Sequence, residues 1–192
     1  MDMQNLHVTA DNVARESAKI SGVQSSHDRE NQREYDAFFE LYKQVLGANP
    51  AKLVNPIIFN AFFCDTKGAA RWRSGIPSEF TQIPKGEACS RLFRLWWWQV
   101  EKTIDEVKHL GQEQKAAYCD QQYCLYMCIR PFQNGSGRTG LLIRYMLRQY
   151  VGLPLEIVQY REAKQELFAK VRQYRKEIFL PAVRGKPFML SH

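Results

Sequence analysis

The chain has 192 residues, 45% of them hydrophobic and 24% charged, which suits one ordinary domain able to bury roughly 70% of its unfolded surface and excludes a disordered or fibrous polypeptide. No apolar run approaches the ~20 residues that span a bilayer, and Met1-Asp2-Met3-Gln4-Asn5 lacks the basic-then-apolar pattern of a signal peptide, so a cytoplasmic protein is expected, with leaderless secretion as the alternative. The net charge of +7 is one-sided: residues 1–129 hold fifteen Lys+Arg against sixteen Asp+Glu, whereas residues 130–192 hold twelve against four, a field that attracts phosphates.

In chain order, residues 1–11 read as a flexible tail, residues 12–180 as a single domain and residues 181–192 as a second tail. Asp11 or Asn12 caps a short helix that Gly22 closes. Ser26-His27-Asp28-Arg29 offers a cap for a second helix, whose Tyr35, Phe38, Phe39, Tyr42, Val45 and Leu46 make one apolar stripe. Gly47-Ala48-Asn49-Pro50 stops it. A third helix is predicted over Asn55 to Cys64, with Pro56 in its first turn. The punctuation of Gly68, Gly75, Pro77, Pro84 and Gly86 predicts a small β-hairpin or extended flap.

From Glu87 to about Leu110 the pattern is helical, on Leu92, Leu95, Trp96, Val100, Ile104 and Val107. The rings of Trp96-Trp97-Trp98 cannot all face one way, so at least one must meet solvent, a partner or a second core, the plain reading being that they wrap a junction of core helices. Gly111 breaks the helix, Gln112 to Ile129 forms the next, and Pro131 ends that one. Thr139 to Val151 reads as a strongly apolar helix closed by Gly152-Leu153-Pro154. A basic amphipathic helix covers about Arg161 to Phe179, and Pro181 and Gly185 mark its exit. The expectation is a mainly α domain of six to eight helices with one small hairpin. The five cysteines, Cys64, Cys89, Cys119, Cys124 and Cys128, contain no CxxC pair, and the histidines are scattered. Reduced core thiols are expected, and no metal site.

The chemistry concentrates in Ile129-Arg130-Pro131-Phe132-Gln133-Asn134-Gly135-Ser136-Gly137-Arg138-Thr139-Gly140. Gly135, Ser136, Gly137 and Arg138 precede a helix, so backbone N–H groups can converge on an anion beside the positive end of the helix dipole. Arg138 and Arg130 add guanidinium forks suited to phosphate oxygens. The spacing is neither a Walker loop nor a dinucleotide fingerprint. The alternative is a glycine turn between two core helices, with its arginines in water.

This stretch resembles the Fic (Fido) family signature, HPFx[D/E]GNGRxxR. Pro131, Phe132, Gly135, Gly137 and Arg138 match it, and Thr139-Gly140 is family-like. Gly68-Ala69-Ala70-Arg71 is similar to the GxxR before the family's target-docking flap, which draws attention to Gly68 and Arg71. The resemblance spans about residues 12 to 180. It implies a compact Fic-type helical domain and, for its active members, transfer of AMP from ATP to a protein hydroxyl. In those members the histidine is the general base, the acidic residue holds Mg²⁺, the asparagine and first arginine steady the α- and β-phosphates, and the last arginine grips the γ-phosphate.

The match fails where that chemistry sits. The histidine position holds Arg130, which stays protonated because its pKa exceeds ~12. The acidic position holds Asn134, a weak Mg²⁺ ligand; the asparagine is Ser136; the last arginine is Leu141. General-base catalysis alone is worth about 10²–10⁴ in rate, so the pattern is that of a pseudoenzyme. A bound nucleotide such as ATP, or an unidentified protein partner, is expected rather than a metal.

Ser17-Ala18-Lys19-Ile20-Ser21-Gly22 is similar to the family's inhibitory helix, with Ser21 in place of its glutamate. On that alignment Ser17, Ile20, Ser21 and Gly22 carry the match, and both halves of the inhibitory ion pair, at Ser21 and Leu141, are gone. A rival alignment, Ser26-His27-Asp28-Arg29-Glu30-Asn31, keeps Glu30. Two other functions stand beside a binding role. One is a transferase of altered chemistry in which Arg130 stabilises a phosphoryl transition state. The other is nucleic-acid binding through Arg161, Lys164, Lys170, Arg172, Arg175 and Lys176, a face that is more often simply solvated.

Overall fold

A computed structural model describes residues 53–57, 86–132, 136–154, 156 and 166–183. The helices Asp11–Gly22 and 35–46, the 68–84 flap, the inhibitory-helix alignments and Cys64 lie outside the described residues.

What is described is mainly α, with no strand among the described residues. Helix α1 is Gly86–Val107, α2 is Gln112–Ile129 and α3 is Ser136–Tyr150. The last stretch runs through α4, Phe168–Tyr174, a π-helical turn, Arg175–Phe179, and α5, Leu180–Val183. Ahead of these, Pro56 and Ile57 are helical. Asn55 caps them: its Oδ1 accepts from the Ile57 N–H at 3.0 Å, with Pro56 at the first helical position, as the sequence predicts.

Helix α1 buries Cys89, Phe93, Trp96, Trp97, Val100, Ile104 and Val107, a stripe at steps of three and four. This corrects the expected stripe in two places: Phe93 takes the core position, and Leu95 is 55% exposed. The tryptophan triplet divides as geometry demands. Trp96 and Trp97 point inward and Trp98 is 59% exposed.

Helix α2 starts after Gly111, whose N–H donates to Gln114 Oε1 at 3.2 Å. Its second half is buried on every side, from Gln122 through Ile129. An all-round buried helix lies at the centre of a domain. On one flank lies α1, where Phe93, Trp96 and Tyr126 bring their rings together at 5.4–6.4 Å between centroids. There the Trp96 indole N–H donates to Gln122 Oε1 at 2.9 Å. On another flank lies the C-terminal helix, through Val171 and Phe179. Helix α3 returns antiparallel along α2, because Gly140 faces Met127, Tyr126 and Tyr123 while Arg144 reaches Asp120.

Gly140 is the point of closest approach between these helices. A Cβ there would meet Met127 Sδ at 2.9 Å, Tyr126 Cδ1 at 3.1 Å and Tyr123 Cε2 at 3.2 Å. The helical backbone also runs past the predicted exit: Pro181 lies inside α5. The π turn just before it, in which the Leu180 N–H bonds Arg175 O, widens the helix where the proline lacks a donor and would crowd the preceding turn. Among the described residues no helix is long and apolar enough to cross a membrane.

Candidate functional site

Helix α2 ends at Arg130, whose backbone N–H still donates to Tyr126 O at 2.8 Å. Arg130 itself adopts the left-handed conformation, φ 41° and ψ 63°. It is the one non-glycine residue with positive φ among the described residues. For a side chain with a Cβ this costs about 1 kcal/mol. A left-handed residue is a common way to end a helix, and Pro131 after it cannot continue one.

Phe132 then turns the chain back into the core. It is buried, with its ring 5.5 Å from that of Phe93. The buried Cys89 thiol donates to Ile129 O at 3.4 Å, holding α1 against the same corner. Gln133, Asn134 and Gly135 lie outside the described residues. Ser136 opens α3, and its hydroxyl donates to Phe132 O at 2.8 Å across the loop. The loop is thus fastened at both ends.

The first turn of α3 carries no acidic residue. Gly137 and Arg138 are half-buried, and a Cβ at Gly137 would meet nothing within 4 Å. Gly137 thus has room on its Cβ side, at the positive end of a fifteen-residue helix. Beneath it, Tyr126 is fully buried against the hydroxyls of Thr139 and Ser136. Burial pushes its phenol far above the usual range, and neither the Tyr126 nor the Thr139 hydroxyl has a well-formed hydrogen bond. This floor carries no ionised group of its own.

Of the predicted site residues, Arg130, Ser136, Gly137 and Arg138 lie on this one corner. Leu141 does not present a group to it, being 2% exposed and part of the core. Asn134, Gly135, Gly68, Arg71, Ser17, Ile20, Ser21 and Gly22 lie outside the described residues. Among the described residues no group of three or more His, Cys, Asp or Glu side chains could hold a metal ion. A groove of about 580 Å³ runs elsewhere, along α1, beside Ser90, Arg91, Arg94 and Leu95.

Sequence reasoning missed a second charged constellation, farther along α3. Arg144 Nε bonds Asp120 Oδ1 at 2.8 Å, and Arg144 Nη2 bonds Glu156 Oε2 at 3.0 Å. Arg148 Nη2 reaches the same Glu156 oxygen at 3.3 Å and Pro154 O at 3.4 Å. Lys170 Nζ lies 3.3 Å from Asp120 Oδ2. Burial lowers the Arg144 pKa, but the carboxylates of Asp120 and Glu156 outweigh it and hold the guanidinium charged. The signal was available: two arginines four apart, Arg144 inside the otherwise apolar run Leu141 to Leu147 and Arg148 directly after it, must share one helix face and find partners there.

The three described free cysteines of α2 are buried. Burial pushes Cys119 and Cys124 up to about 12 and Cys128 up to about 11. No protein-family model matches the chain, and no curated protein matches it.

Proposed function

We propose that the chain is a Fic-like domain that binds, through the loop between α2 and α3, a nucleotide phosphate or a protein group of like charge, and performs little or no group transfer. The observation that carries this reading is the first turn of α3. The space open to a Cβ at Gly137, the Arg138 guanidinium and a first turn without acidic residues suit it to receive an anion. The resemblance of residues 130–140 supplies the class of anion, ATP or a related nucleotide. It also assigns a docking flap to 68–84 and target contacts to Gly68 and Arg71.

The reacting groups argue against turnover. Arg130 cannot take a proton near neutral pH, and its backbone N–H is held by Tyr126 O at the end of α2. Asn134 carries no charge for Mg²⁺. The side chain at the γ-phosphate position, Leu141, is built into the core. The basic C-terminal helix is less well suited to nucleic acid than its composition suggests, because Lys170 is engaged with Asp120 and Glu177 stands within the same face.

Incubation with labelled ATP and Mg²⁺ in cell lysate tests the absence of transfer. The expected outcome is no label on any protein, the chain itself included. Arg130→His with Asn134→Asp and Ser136→Asn, leaving Leu141 in the core, is the companion variant. Label transferred by the unaltered chain contradicts the reading.

A further inference from the structure

We propose that Arg144 and Arg148 form a second oxyanion site, of phosphate class, whose resident occupant is the carboxylate of Glu156. Both arginines are more than nine-tenths buried, at 5% and 7% exposure, yet Glu156 is 61% exposed. The carboxylate therefore lies between two sunken guanidiniums and solvent, like a stopper.

The hydrogen bonding shows that the stopper fills the site incompletely. One oxygen of Glu156, Oε2, accepts from both Arg144 Nη2 and Arg148 Nη2. Two buried donors have no partner: Arg144 Nη1 and Arg148 Nε. Each is the neighbour, on its own guanidinium edge, of the nitrogen that does reach Glu156. In Arg148, Nε and Nη2 point the same way and suit two oxygens of one anion; in Arg144, Nη1 and Nη2 do so. A buried donor without an acceptor is costly. A tetrahedral oxyanion offers more acceptor oxygens than a carboxylate used through one of its two, so it can meet all four N–H groups.

The charge balance agrees. Arg144, Arg148 and Lys170 face Asp120 and Glu156, an excess of one positive charge with Glu156 in place. With Glu156 withdrawn, three cations share the Asp120 carboxylate. The site is separate from the loop: Arg144 is eight residues beyond Ser136, about 12 Å along the helix. Its success or failure is therefore independent of the function proposed above.

The experiment is replacement of the stopper. Thermal midpoints of wild type and Glu156→Ala are compared in sodium phosphate, sodium acetate and sodium chloride at matched ionic strength. Glu156→Ala is expected to gain about 3 °C or more from phosphate over chloride, wild type to gain little, and acetate to give less. Adding Arg148→Lys keeps the charge but removes the Nε and Nη2 edge, and is expected to abolish the gain. If Glu156→Ala does not fold, Glu156→Gln titrated with inorganic phosphate by calorimetry gives the same test, and heat that saturates is expected. A phosphate gain no larger than in wild type, a gain that survives Arg148→Lys, an acetate effect equal to phosphate, or no heat in the Glu156→Gln titration overturns the proposal.

Discussion

The Ser136 hydroxyl donates to the carbonyl oxygen of Phe132 at 2.8 Å, and this bond closes the loop between α2 and α3. Both residues are buried, so the loop is held from inside rather than by solvent contacts. Ser136→Ala leaves the Phe132 carbonyl without this donor and is expected to lower stability by about 1 kcal/mol. Urea unfolding should show a lower midpoint with an unchanged slope.

Gly140 is expected to resist even the smallest enlargement. Alanine is the better helix former by about 1 kcal/mol, so propensity alone favours Gly140→Ala. Sterics oppose it: the new methyl would press on Met127, Tyr126 and Tyr123 at 2.9–3.2 Å. Met127 can move, but the two tyrosines are 0–1% exposed, and Tyr126 packs against the rings of Phe93 and Trp96. Overpacking of this kind costs about 1–3 kcal/mol, so a net loss is expected. A thermal melt at or above the wild-type midpoint would show that α2 and α3 can separate without cost.

The ion pair of Arg144 with Asp120 predicts an asymmetric response. Asp120→Ala leaves a buried guanidinium short of its closest carboxylate and should cost about 3 kcal/mol. The double change Asp120→Leu with Arg144→Met removes both charges and should recover much of that loss. A double-mutant cycle by chemical denaturation measures the coupling.

Stability should be level from pH 7 to 9 and fall above it. The Cys119, Cys124 and Cys128 thiols stand at 9.0 by default and are pushed up to about 12, 12 and 11 by burial. Folded-state values above the unfolded ones mean that the unfolded chain releases protons first as pH rises. The loss therefore begins near the unfolded value of 9 and continues until the folded thiols titrate, at up to about 1.4 kcal/mol per pH unit for each group. Denaturant midpoints taken from pH 7 to 11 check the direction. Mass spectrometry after brief iodoacetamide treatment at pH 8 should show Cys119, Cys124 and Cys128 unmodified.

Much of the helical frame could be read in advance because its boundaries are set by local chemistry. Gly111 and Pro131 delimit α2, and Asn55-Pro56 start the helix at that point, through effects that act within a residue or two. What escaped depends on contacts distant in sequence. Leu95 reads as core by periodicity, but Phe93 joins Trp96, Tyr126 and Phe132 instead, and only their packing reveals it. The partnership of Arg144 with Asp120 and Glu156 joins three separate segments, so charge in the sequence showed a need for partners without naming them. At the loop, residue types pointed to the corner proposed to hold an anion, whereas the left-handed conformation of Arg130 and the burial of Leu141 could not be read from residue type alone.

The central claim is that this corner holds an anion without consuming it. Calorimetric titration of the chain with ATP and ADP, with and without Mg²⁺, tests that claim most directly, with Arg138→Ala as the paired variant. The account predicts saturable heat for the wild-type chain, little dependence on Mg²⁺, and a loss of affinity of at least about tenfold in Arg138→Ala, as befits a charge-assisted contact. No heat from the wild type, or equal affinity in Arg138→Ala, would contradict it.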